Sequence, residues 1–92
     1  MATFFQAWRK RQSEQQAAEW SKERDRARQA VDDVPAAIRL DVRRVMEALI
    51  EGPDEEVEGA LDELWQLLEP HPDLRAEFFR LRVVDDAVEF LK

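Results

Sequence analysis

The sequence predicts an all-α fold: a small antiparallel helical bundle of three C-terminal helices plus one long N-terminal helix. Three observations carry this. Over residues 34–92 apolar residues recur at spacings of three and four rather than in alternation. Only two Gly and four Pro occur, and apart from Gly59 they cluster at Val34-Pro35, Gly52-Pro53 and Pro70-His71-Pro72, where helices can stop and restart. No Asn-Gly or Asp-Gly pair marks a hairpin turn. A chain of 92 residues fills a single domain, 1–92, divided into a long N-terminal helix with a projecting tip (1–31) and a three-helix acidic body (34–92).

From Ala2 to about Val31 nothing interrupts a helix, because the segment lacks Gly and Pro and is rich in Gln, Glu, Ala, Lys and Arg, which lose little rotamer freedom there. At ~1.5 Å per residue one straight helix would extend ~45 Å. Its rear apolar set, Ala17, Trp20, Ala27 and Val31 with Val34 beyond, points in one direction, and Phe4, Phe5 and Trp8 point roughly 120° away. A straight helix cannot bury both sets on one body. The rear half is therefore expected to dock, and the aromatic tip to project towards a partner.

Asp32-Asp33 before Val34-Pro35 reads as a stop and restart, with Asp33 a capping candidate and Pro tolerated in a first turn. Ile38, Val42, Val45 and Leu49 form the stripe of a second helix that ends at Glu51-Gly52. Asp54, Glu55 and Glu56 then sit where the positive end of a third helix favours carboxylates. Its stripe is Val57, Leu61, Leu64 and Leu68, widened by Ala60, Trp65 and Leu67, and it must stop before Pro70. A fourth helix opens at Asp73 and carries two apolar stripes, one of Leu74, Phe78, Leu81, Val84, Val88 and Leu91, the other of Phe79, Val83, Ala87 and Phe90. Apolar residues on two sides place a helix between neighbours or give it an outer face for a partner. Connections of about three to five residues make neighbouring helices antiparallel.

The composition removes most catalytic equipment. Cys, Tyr and Asn are absent, His71 is the single histidine, and the hydroxyls are Thr3, Ser13 and Ser21. A nucleophile needs a base within hydrogen-bond reach, and a lone imidazole without Cys or a second His is a poor zinc site. The carboxylate runs follow no EF-hand spacing, and two glycines make no phosphate loop. The expectation is a protein that is not an enzyme and has no metal site and no cofactor. No apolar run approaches a membrane span, and Met1–Phe5 leads into Arg9-Lys10-Arg11 without the apolar core of a signal peptide, so a cytoplasmic location is expected.

Net charge is −7, split into +3 over residues 1–30 and −10 over 31–92. The acidic body opposes phosphate backbones, so direct nucleic-acid binding is not expected. The remaining reading is a helical interaction module, an adaptor, assembly or regulatory subunit, that binds a protein partner or self-associates as a homodimer. Its partner-binding residues are Phe4, Phe5, Trp8, Arg9 and Arg11 at the N-terminus and Phe79, Val83 and Phe90 on the outer face of the last helix, since aromatic anchors beside Arg typify interface centres. Two rival readings use the same charge pattern. One is an acidic inhibitor that imitates nucleic acid and fills the groove of a nucleic-acid-binding enzyme. The other is a peripheral protein whose N-terminal helix lies on an anionic membrane surface.

Overall fold

In a computed structural model that describes residues 5–91, and the side chains of all of these except Phe5, Gln12 and Ser13, the chain forms six helices. They are α1 (Phe5–Gln15), α2 (Ala17–Asp32), α3 (Ala36–Glu51), α4 (Asp54–Leu67), α5 (Pro72–Phe78) and α6 (Arg82–Leu91). No strand occurs among the described residues. The all-α class therefore stands, whereas the expected four helices are replaced by six.

The middle of the chain follows its local sequence closely. On α3 the residues Val42, Val45, Met46, Leu49 and Ile50 are buried, and on α4 so are Val57, Ala60 and Leu64, as the spacing of three and four requires. These two stripes face each other across the Gly52-Pro53 connection and form the most extensive helix pair. Gly52 closes α3 with an extended backbone (φ −73°, ψ 165°), and its N–H donates to the Ala48 carbonyl. A β-carbon at Gly52 would lie 2.5 Å from that carbonyl oxygen, so only glycine fits the close approach. Asp33 does not cap α3. Its N–H closes the end of α2 on the Ala30 carbonyl, the Val34 N–H donates to the Val31 carbonyl, and α3 starts after Pro35 without a side-chain cap. The turn between them is fastened instead by Arg39, whose guanidinium donates twice to the Val34 carbonyl, at 3.0 and 3.2 Å.

Two breaks were not written in the local sequence, and both have a packing cause. The first lies at Gln16, where the backbone leaves the helical region (φ −133°, ψ 51°) between two segments of strong helix formers. In a straight helix Arg9 and Trp20 would be ~16 Å apart along the axis. With the break, α1 turns back and the Arg9 guanidinium lies 4.8 Å from the Trp20 ring centre. Burial of Trp8 and Arg9 against the bundle overrides helix propensity, which is a weak prior when tertiary contacts compete.

The second break, over Phe79-Arg80-Leu81, divides the expected last helix into α5 and α6. On one straight helix Val83 would point about 140° and Ala87 about 180° away from Phe78, yet all three are buried. A tight turn re-phases the chain, with the N–H of Arg80 donating to the Glu77 carbonyl and that of Leu81 to the Phe78 carbonyl. The helix α6 then packs against α2, α3 and α4. The second apolar stripe of the sequence reading is thus no continuous outer face: Val83 and Ala87 belong to the core beside Phe78, Met46, Leu49, Leu64 and Leu68.

Candidate protein-interaction surface

The expected partner-binding residues separate into distinct environments. Phe4 lies outside the described residues, as does the side chain of Phe5. Trp8 is half-buried and packs against the core, Arg9 is 2% exposed, and Arg11 is exposed. Phe79 and Phe90 are half-buried and Val83 is fully enclosed. The structure brings Arg9 and Val83 together, because an Arg9 Nη2 hydrogen donates to the Val83 carbonyl oxygen. Phe79, just past the end of α5, meets Trp65.

The seat of α1 is built from three remote elements. Burial pushes the Arg9 guanidinium down to about 10, against the opposing pull of the Asp86 carboxylate, so it keeps its charge at neutral pH. Trp20, from the first turns of α2, lies under that cation, an arrangement favoured by the ring quadrupole. At the other end Asp54 of α4 accepts the Gln6 backbone N–H at 2.7 Å. This carboxylate serves a first-turn donor of α1, a helix with no acidic residue in its own first turn. Burial also holds the Asp86 carboxyl above the usual carboxylate range, partly offset by Arg82 and Arg9.

The second surface centres on Trp65, which is 50% exposed. Its ring meets Phe79 edge to face, with centroids 5.2 Å apart and planes at 87°. The Arg75 guanidinium sits 3.9 Å over the indole, and its Nη2 donates to the Trp65 backbone carbonyl at 3.1 Å. One indole is therefore held by an aromatic edge and a cation while half of it faces solvent. In the sequence Trp65 widens the α4 stripe, since it flanks buried Leu64. Arg75 gives a signal that the sequence reading missed: it precedes Phe79 by one helical turn, the spacing at which side chains on a helix meet.

The carboxylates of the acidic body border an open groove of about 670 Å³ between α3 and α4, lined by Arg44, Glu47, Glu51, Glu56 and Glu63 above small residues such as Gly59. Much of this charge is answered within the chain. Arg28 contacts Glu47 at 2.9 Å and Glu51 at 3.5 Å, and Arg44 pairs with Glu63. The hydrogen bond from Arg28 holds Glu47 below the ordinary carboxylate value. His71 stands at the start of α5 without a side-chain cap bond. No cluster of three or more His, Asp or Glu suited to a metal occurs among the described residues, and no helix there is long and apolar enough to cross a membrane.

Compared with protein families, curated proteins and solved structures, the chain matches none.

Proposed function

We propose that the chain is a non-enzymatic helical interaction module, an adaptor, assembly or regulatory subunit that binds a protein partner through the face formed by Trp65, Arg75 and Phe79. The observation that supports this reading is the half-exposed Trp65 ring, held between the Phe79 edge and the Arg75 cation. Trp and Arg lead the residue types that dominate binding energy at protein interfaces. A ring already fixed by two neighbours loses little further freedom on binding, which lowers the ordering cost of association. The exposed Leu40, by contrast, is a single apolar side chain of the kind common on any surface.

The test compares proteins retained from native extract by the wild-type chain, Trp65→Ala and Leu40→Ala. The reading expects a stoichiometric partner that binds wild type and Leu40→Ala and is lost with Trp65→Ala, while circular dichroism shows all three folded alike. Equal retention by Trp65→Ala would overturn the assignment of this face.

A further inference from the structure

We infer that the surface occupied by α1 is also a homodimer interface, in which two copies exchange α1 so that the Arg9 of each chain seats on the Trp20 ring and Val83 carbonyl of the other. This inference stands apart from the Trp65 face. It starts from the joint between α1 and α2, which is one residue long. Gln16 has no side-chain cap there, and neither Gly nor Pro enforces the turn. Good helix formers flank it on both sides, so the same segment can close into one rod. Residues 5–32 as a single helix would span ~42 Å, beyond the 35 Å longest extent of the folded chain. An opened α1 therefore reaches past its own body.

Among the contacts that hold α1 closed are the packing of Trp8 on the core, the Arg9 cation on Trp20, its hydrogen bond to Val83, and the Gln6 N–H on Asp54. Each is a contact that does not involve the Gln16 side chain, so a second copy can supply the same donor and acceptor without new chemistry. The complementarity is already demonstrated by α1 itself. Closing the rod would give the first N–H groups of α2, at the exposed Ala17, Ala18 and Glu19, the carbonyls one turn earlier as acceptors in a continuous helix. Exchange thus conserves the seat of Arg9 within a continuous helix, and the entropy of association opposes it. Such exchange of an identical element is a low-cost route to a dimer, and mass action makes it depend on concentration.

The deciding variant is Ala17→Pro. Position 17 is the first residue of α2, where Pro is well tolerated, and a Pro there disfavours the helical conformation of Gln16 that the rod requires. Light scattering over a hundredfold range of concentration should give a dimer-to-monomer ratio for wild type that rises about in proportion to free monomer. Ala17→Pro should remain monomeric throughout with an unchanged near-ultraviolet spectrum, and Trp65→Ala should dimerise like wild type. In an equimolar mixture of differently labelled chains, the nuclear Overhauser contact between Arg9 and the Trp20 ring should appear between chains. A wild type that stays monomeric at the highest concentration, or an Ala17→Pro variant that dimerises equally, would overturn the exchange. Dimerisation lost in Trp65→Ala alone would overturn it too, while assigning self-association to the Trp65 face.

Discussion

Arg9 places its guanidinium 4.8 Å from the ring centre of Trp20, although one unbroken helix would keep the two residues ~16 Å apart along its axis. This pairing explains why the N-terminal segment folds as two helices. The same cation donates to the Val83 carbonyl, so one side chain ties α1 to both α2 and α6. The seat has little tolerance for loss of the guanidinium, because a buried charged donor is replaced by a void.

Arg9→Ala should lower stability by about 1–3 kcal/mol, the usual cost of removing a hydrogen bond from a charged group together with its packing. Arg9→Met retains most of the apolar stem and should lose less. Urea denaturation gives the stability difference, and amide exchange of residues 6–15 should accelerate more than that of α3 and α4.

The two glycines should respond in opposite directions. Gly52→Ala forces a β-carbon to within 2.5 Å of the Ala48 carbonyl oxygen and should cost about 1–3 kcal/mol. Gly59 lies inside α4, where a β-carbon meets no atom within 4 Å. Gly59→Ala should therefore stabilise by about 0.5–1 kcal/mol, the helix preference for alanine. Thermal unfolding of both variants checks the pair.

Asp86 gives a pH-dependent prediction whose sign is set by burial. Its folded pKa lies above the ordinary 3.8, so the folded chain binds this proton more tightly than the unfolded chain. The associated stability is fully present below 3.8 and is lost as pH rises through the folded value. Asp86→Asn, which keeps the neutral form at every pH, should raise the urea midpoint at pH 7 and match wild type at pH 3. Equal midpoints at pH 7 would contradict the burial effect.

Glu47 acts in the opposite sense. Its hydrogen bond from Arg28 depresses the folded pKa below 4.5, so its contribution is present above 4.5 and is lost as pH falls through the folded value. The Glu47 side chain is 42% exposed, and solvent screening keeps the effect small. Glu47→Gln should therefore reduce stability slightly at pH 7, with the difference disappearing in acid and shrinking in high salt.

The elements α3 and α4 were legible because local signals and packing agree there: the stripes of Val42, Val45 and Leu49 and of Val57 and Leu64 end at breakers that the chain obeys. The turns at Gln16 and Phe79-Arg80-Leu81 were not, since neither contains Gly or Pro and each exists to bury residues that a straight helix would hold on different sides. Arg9 was singled out as a partner-binding residue from its place beside aromatic side chains, and its burial in its own chain depends on a fold-back that no local spacing encodes. Phe79 was legible as an aromatic on a second face and Arg75 lies one turn before it, whereas Trp65 reaches both only through the meeting of α4 and α5.

The most direct measurement of the central relationship is an isotope-edited nuclear Overhauser experiment on dilute protein, observing Arg9 side-chain protons against the Trp20 ring, with Ala17→Pro as a closed reference. The fold-back of α1 onto Trp20 predicts cross-peaks between the two in both samples, with ring-shifted Arg9 resonances. Absence of those cross-peaks, together with helical signals that run unbroken through Gln16, would contradict it.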